Sequence, residues 1–232
     1  PHIPVHLGAM GETVRGLAAR LGDAVQPGRT WAVNDPRCGG SHLPDVTVIT
    51  PVFSAGTLVG WVANRGHHAD LGGISPGSMP PQSTRLAEEG VILRDLLLVA
   101  DHTWQGPAVA AALGPDQPLP PRQPAVNIAD LQAQVAANAL GHRLLLELVA
   151  QDGAAAVAAW MAHVQDNGAE AVEDWLDHLG DGEHRFADGL DDGTVVAVSL
   201  ERAGVAGARR LRVDFAGTGP RSPGNLNAPP AV

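Results

Sequence analysis

The sequence has 232 residues, a formal charge of -10 at pH 7, and 44% hydrophobic residues with 28 Gly and 19 Pro. This length fits one large domain or two small ones, with enough residues for a substantial core. The acidic balance argues against nucleic acid or an anionic membrane as a partner, and no apolar run approaches the ~20 residues of a membrane span.

The residue types that are missing restrict the chemistry. The chain contains no Lys, so it cannot form a Walker-type phosphate loop. If the reaction uses ATP, we therefore expect the nucleotide on another chain or on a part of the protein outside this sequence. Cys38 is the single cysteine; with no internal disulfide to form, we expect the reducing cytoplasm.

Hydrophobic periodicity predicts an α+β fold: a mixed or antiparallel sheet, one long helix and additional packed helices. In chain order, helices are predicted at 12–21, 103–113, 127–150, 153–167 and 170–179, and strands at 30–34, 46–53, 58–63, 91–99 and from 194 onwards. Asn127 is the predicted N-cap of the long helix. The Pro-rich segment 114–124 is either a turn within one fold or a subdomain border.

The stretch 34–73 contains the strongest functional signal. Its two predicted strands are joined by a short Gly-bearing link, which indicates a β-hairpin. The start of the first strand then lies beside the end of the second, so Asp45 is predicted beside residues 65–67. His42 and Asp45 precede the hairpin, and three further residues with ligand side chains follow it: His67, His68 and Asp70.

Imidazole and carboxylate ligands at one point suit Zn, Mn or Fe. The alternative is that these are polar loop residues and that Asp45 caps a turn. The convergence of five candidates across one hairpin favours a site.

Two further features supply candidate substrate contacts. Asp130, Gln134 and Asn138 lie four residues apart on the long helix, and their stripe faces either a polar cavity or solvent. The loop 72–84, which contains Ser78, is predicted to be either a substrate wall or a plain connector.

Five motifs in order carry a family resemblance. They are PVHLGAM from Pro4, NDPRCGGSHLPDVTVITPVF from Asn34, RGHHADLGGISPGSMPPQST from Arg65, DLQAQVAAN from Asp130 and DFAGTGPRSPGNLNAP from Asp214. The chain resembles an inner part of the hydantoinase B/oxoprolinase module along residues 1–232, and within that family it is most similar to the ATP-hydrolysing 5-oxoprolinases.

The resemblance implies a division of labour. A hydantoinase A-type subunit or fused domain would hold ATP and Mg and activate the small cyclic amide substrate. This module would then open the lactam of 5-oxo-L-proline to L-glutamate, and we expect an oligomer. The implied site residues are His42, Asp45 and His67 as metal ligands, His68 or Asp70 as general base or orienting group, and Asp130, Gln134, Asn138 and Ser78 as substrate contacts.

Other readings stay open from the sequence. Within the family, the chain could belong to an N-methylhydantoinase or to an ATP-dependent ketone carboxylase. Outside it, a stand-alone enzyme with a 2-His-1-carboxylate site, such as an Fe(II) oxygenase, or a non-catalytic metal-stabilised assembly module would use the same ligands.

Overall fold

Two antiparallel sheets with flanking helices organise the residues that the computed structural model describes, namely 4–180, 182–205 and 209–230. The predicted α+β class is confirmed. The chain divides into two compact units: unit 1 contains the described residues up to Gly153 and those from Gly224 onwards, and unit 2 is Ala154–Pro223.

Unit 1 is built on a sheet with strand order β3-β2-β1-β4-β5. The strands are β1 (Thr30–Val33), β2 (Asp45–Ser54), β3 (Thr57–His67), β4 (Leu96–Ala100) and β5 (Thr103–Trp104). The helices are α1 (Pro4–Leu21), α2 (Gly106–Ala112) and α3 (Pro124–Asp152), and short 3-10 turns occupy Gly22–Ala24, Pro36–Cys38 and Leu86–Glu88.

Side-chain alternation gives this sheet two buried faces. On one face, Leu17 of α1 packs with Trp31, Val33 and Ile49. On the other face, a larger cluster joins strand residues such as Val46 and Val48 to the helices α2 and α3. The odd-numbered positions at the start of β2 therefore face α1, and the even-numbered ones face α3.

The β2–β3 hairpin is confirmed, and its turn is tighter than the sequence indicated. Only Ala55 and Gly56 lie between the strands, with φ of 49° and 79°. Two consecutive positive φ values match the right-handed twist of the strands. Asp45 pairs with His67, as the sequence predicted.

Unit 2 has the helix α4 (Ala154–His178) and a sheet in the order β6-β7-β8. The strands are β6 (Gly182–Gly189), β7 (Val195–Ala203) and β8 (Arg210–Asp214). The predicted pairing of the last two strands is confirmed, whereas β6 was not predicted. The helical spacing of apolar residues favours core positions for Trp160 and Trp175 of α4, but both side chains are exposed.

Several predicted helix boundaries are wrong; α1, for example, begins at Pro4 rather than at residue 12. The long helix begins at Pro124 after Gln123, so Asn127 is a buried helix residue and not the N-cap. Pro suits the first helical turn because it has no N–H to leave unpaired. Residues 103–113 form the short strand β5 followed by α2, and α4 runs continuously where two helices were predicted.

The division into units falls at Gly153, while the Pro-rich segment 114–124 lies inside unit 1. Among the described residues, no single helix is long and apolar enough to cross a bilayer. Only the two helices α3 and α4 counted together meet the requirement, and they do so by length and composition alone.

Candidate metal centre

His42, Asp45 and His67 form the one group of metal-ligating side chains found among the described residues, and their ligand atoms all lie within 4.8 Å of one another. His42 Nδ1 lies 2.7 Å from Asp45 Oδ2, and His67 Nδ1 lies 3.0 Å from Asp45 Oδ1. The two imidazole rings have centroids 5.2 Å apart. The three side chains predicted as ligands therefore converge on one point.

The backbone brings the group together in two ways. The strand register places His67 directly opposite Asp45. A turn before β2, in which Asp45 N donates to His42 O, places the second imidazole three residues upstream. The His68 amide also donates to Pro44 O at 2.8 Å, which continues the pairing beyond the last residue of β3.

A buried asparagine fixes the loop that carries His42. Asn34 donates through Nδ2 to Leu43 O and to Val91 O, and it accepts a hydrogen bond from Leu93 N through Oδ1. Its side chain thus ties both ends of the loop to a distant segment. This explains why a polar residue is fully buried directly after β1.

Asp45 is the buried member of the group, with its side chain only 4% exposed. Burial alone would raise the pKa of Asp45, but hydrogen bonds from His42, Ser41 and His67 outweigh it and hold the pKa well below its usual range. The carboxylate is therefore ionised at neutral pH. The side chains of His42 and His67 are 33% and 55% exposed, so the group opens to solvent on the imidazole side.

The donor set fits a divalent transition metal. One carboxylate and two imidazoles are ligands for Zn, Mn and Fe, and three protein ligands leave further coordination positions open, as in catalytic sites.

A third histidine, which the sequence analysis did not assign, approaches the same carboxylate. His6 Nε2 lies 3.5 Å from Asp45 Oδ2, and its ring centroid is 6.4 Å from that of His42. Helical spacing could have found it, because Ala9, Thr13 and Leu17 are all fully buried on one face of α1 and His6 lies one turn before Ala9 on that face.

His68, predicted as a general base or orienting group, is 1% exposed. Its Nε2 lies 3.0 Å from Gln134 Oε1, and its Nδ1 lies 3.2 Å from Asn127 Nδ2. Because the amide oxygen only accepts and the amide nitrogen only donates, the ring carries its proton on Nε2. Both nitrogens are occupied by side chains of α3, so the roles predicted for His68, as general base or as orienting group, stay predictions.

Asp70 and Ser78 hold the loop that follows β3. Asp70 accepts hydrogen bonds from the amides of Gly72 and Gly77 and from Arg122. Ser78 is buried, donates to Gly72 O at 2.8 Å and accepts from Leu71 N at 2.6 Å. Their polar atoms bind this chain itself, and their predicted roles toward base catalysis and substrate stay predictions.

The Gln134 and Asn138 amides contact the hairpin rather than an open cavity. Gln134 Nε2 donates to Val46 O, and Asn138 Nδ2 donates to Val48 O and Val62 O. These contacts lie on the α3 face of the sheet, whereas Asp45 faces α1. Asp130 is half-buried one turn earlier. The substrate contacts predicted for this stripe remain predictions, since the sheet lies between it and the group.

Comparisons with known proteins agree with this picture. The family model described as hydantoinase B/oxoprolinase matches residues 1–232. The whole chain is 40% identical to 5-oxoprolinase 1 of Arabidopsis thaliana and spans 20% of that protein's length. The chain is thus about a fifth as long as this curated relative.

Two solved structures share the fold. An ATP-dependent caprolactamase from Pseudomonas jessenii matches 99% of this chain and 39% of its own with a TM-score of 0.85 and 26% identity. A nucleotide-free acetone carboxylase matches 92% of this chain and 30% of its own with a TM-score of 0.77 and 20% identity, a likeness of fold alone. Since the family model covers every residue, the chain belongs to the hydantoinase B/oxoprolinase family.

Proposed function

We propose that this chain is the hydrolase module of an ATP-dependent 5-oxoprolinase. It would open the lactam of 5-oxo-L-proline to L-glutamate at a divalent metal held by His42, Asp45 and His67. The observation that carries the proposal is the convergence of these three side chains within 4.8 Å, in a chain 40% identical to a 5-oxoprolinase.

Each residue of the group has a distinct task in this proposal. Asp45 is buried and ionised, so it supplies the negative charge that holds a cation. His42 and His67 complete the ligand set on the solvent side, where a substrate can approach. A bound divalent ion supplies Lewis-acid polarisation of a carbonyl or phosphoryl oxygen.

ATP binding is assigned to a separate hydantoinase A-type module. The chain has no Lys for a phosphate loop, and it spans about a fifth of its curated relative. Coupling to ATP suits the reaction because an unstrained five-membered lactam resists hydrolysis. The same proposal places the enzyme in the cytoplasm as an oligomer.

The decisive experiment measures L-glutamate release from 5-oxo-L-proline by the complete protein with its ATP module, with and without ATP. The His67→Ala variant should lose this release. His163→Ala, which changes an exposed imidazole of α4, is the matched control and should keep it.

Parallel reactions with N-methylhydantoin, with caprolactam and with acetone plus bicarbonate test the neighbouring substrate classes. The caprolactam arm is motivated by the 26% identical caprolactamase. ATP-dependent turnover of one of these, without glutamate release, would replace the proposed substrate. Turnover that is unchanged in His67→Ala would overturn the proposed site.

A further inference from the structure

We propose that His6 is a positioning residue for Asp45: Arg65 fixes the tautomer of its imidazole, and its Nε2–H is directed at the carboxylate. This inference rests on the proposed metal centre and deepens it. It gives a role to the third histidine near the group and excludes it from the ligand set.

His6 is held at the edge of the group by α1. Its side chain is 18% exposed, and its Nε2 lies 3.5 Å from Asp45 Oδ2. One helical face carries His6 together with the buried Thr13, whose hydroxyl donates to Gly39 O at 2.6 Å. The helix is thus anchored to the loop between β1 and β2, which fixes the approach of the ring.

Arg65 is fixed on the same side of the sheet by neutral oxygen acceptors. It lies opposite Thr47 in the strand register, and its Nε donates to the Thr47 hydroxyl at 2.8 Å. One terminal nitrogen donates to Thr13 Oγ1 at 3.1 Å and to Gly39 O at 3.2 Å. The other terminal nitrogen, NH1, lies 3.4 Å from His6 Nδ1.

This arrangement determines where the imidazole carries its proton. A guanidinium has only N–H donors and no acceptor, so a proton on His6 Nδ1 would face the N–H groups of Arg65. Nδ1 must therefore present its lone pair, and the neutral ring carries its proton on Nε2. Nε2 is the nitrogen that lies 3.5 Å from Asp45 Oδ2.

Ser41 does not reverse this assignment. Its hydroxyl lies 3.4 Å from His6 Nδ1, but its proton is donated to Asp45 Oδ2 over the shorter distance of 2.7 Å. Arg65 NH1 and the Ser41 hydroxyl oxygen lie at the same distance of 3.4 Å from Nδ1, and the charged donor outweighs the neutral oxygen whose proton is already donated to Asp45. Ser41 donates to Asp45 Oδ2, and His6 Nε2 lies 3.5 Å from the same carboxylate oxygen.

The consequence is a site with two imidazole ligands rather than three. With its proton on Nε2 and Arg65 at Nδ1, His6 has no lone pair to offer the ion. It holds the Asp45 carboxylate in place from the side of α1. Partners that orient a ligand in this way typically contribute 10–100-fold to metal affinity.

The test titrates the complete protein with Mn(II) and compares wild type with His6→Ala, His6→Gln and the control His163→Ala. We expect His6→Ala to bind Mn(II) about 10–100-fold more weakly. His6→Gln should recover most of this affinity, because its amide N–H replaces the Nε2–H, and the control should match wild type. Pulsed EPR of the Mn(II)-loaded proteins should count two bound imidazole nitrogens in wild type and in His6→Gln.

Three outcomes would overturn the proposal. Three imidazole nitrogens in wild type, falling to two in His6→Gln, would make His6 a ligand. An unchanged Mn(II) affinity in His6→Ala would remove its role, and a wild type that binds no Mn(II) would remove the metal centre. If instead the proposed substrate is wrong, the protein will still bind Mn(II) but will release no glutamate from 5-oxo-L-proline.

Discussion

His67 Nδ1 lies 3.0 Å from Asp45 Oδ1, and the two residues are direct partners in the register of the β2–β3 hairpin. A carboxylate and an imidazole separated by 22 residues of sequence are thus joined by strand pairing. Because side chains alternate along a strand, a slip of one residue would turn one of them to the opposite face of the sheet. The hairpin register is therefore the structural feature on which the candidate metal centre depends.

The first prediction concerns the charge of the buried ligand. Asp45→Asn keeps the size of the side chain but removes the negative charge, and its amide N–H groups face the donors His42 and Ser41. We expect the affinity of the proposed metal centre for a divalent transition metal to fall about 100-fold or more. Elemental analysis and titration with Mn(II) measure this. Asp116→Asn, at an exposed position of unit 1, is the control, and a full metal content in Asp45→Asn would contradict the proposed ligand set.

The second prediction concerns the amide that joins α3 to the hairpin. Asn138 is 1% exposed, and its Nδ2 lies within hydrogen-bond distance of three acceptors on β2 and β3. Asn138→Ala removes these bonds and leaves buried acceptors unpaired, which should cost about 2–4 kcal/mol. Hydrogen exchange of the hairpin amides should become faster.

Gln132→Ala, at an exposed position of the same helix, is the control for this variant and should leave hairpin exchange unchanged. The substrate role predicted from the sequence gives a different result. If Asn138 binds substrate, Asn138→Ala will raise KM for 5-oxo-L-proline while hairpin exchange stays as in wild type.

How far the sequence could predict the site is clearest at Gln134 and Asn138. Their spacing showed correctly that the two share a helical face, but not that the face packs on a sheet. The residues of β3 that face α3 also have a recognisable pattern in the sequence, because Asn64 and Gly66 alternate with Arg65 and His67 on the opposite face. Asn64 bonds the side-chain amides of Gln134 and Asn138. Gly66 lies against the same helix, since a Cβ there would lie 3.0 Å from Gln134 Nε2. Only the pairing of the strands shows which of the two alternating sets of side chains faces α1 and which faces α3.

Two helix boundaries were predicted wrongly for different reasons. Asn127 is a strong N-cap residue, but here its side chain bonds His68 and the carbonyl of Asp70, contacts distant in sequence. The sequence predicts two helices, 153–167 and 170–179, yet α4 continues through Gly168, which lies between them. A single Gly inside a helix costs only about 1 kcal/mol relative to Ala, which the remaining turns can offset.

The third prediction uses two glycines of the loop after β3 as a matched pair. Gly72 has a φ of 92°, and a Cβ there would lie 2.0 Å from Leu119 O. Gly77 has a φ of 83°, but a Cβ there would meet no atom within 4 Å. Gly77→Ala should therefore cost only the strain of a left-handed residue, about 1–2 kcal/mol.

Gly72→Ala adds a clash with backbone to the same strain, and we expect a loss of about 3 kcal/mol or more. Thermal unfolding of the complete protein, together with hydrogen exchange of the segment around Leu119, measures the difference. Equal effects of the two substitutions would show that the loop does not pack closely against Leu119.

The last prediction concerns the pH dependence that Asp70 confers on stability. Burial raises the pKa of Asp70, but hydrogen bonds from the backbone of Arg122, Gly72 and Gly77 and from the Arg122 side chain outweigh it, so the pKa is lowered. A carboxylate with a lower pKa in the folded state stabilises the fold above its unfolded pKa of about 3.9. That contribution is lost as the pH falls through the folded pKa.

Asp70→Asn should therefore cost about 2–3 kcal/mol at pH 7, because an amide cannot accept all of these hydrogen bonds and loses the charge opposite Arg122. The difference from wild type should stay constant down to about pH 5 and shrink below about pH 4, where Asp70 of the unfolded wild-type chain takes up a proton before Asp70 of the folded protein does. Unfolding midpoints of the two proteins, measured between pH 3 and pH 7, test this, with Asp116→Asn as the exposed control. A difference that persists undiminished at pH 3 would show that Asp70 acts through packing rather than through its charge.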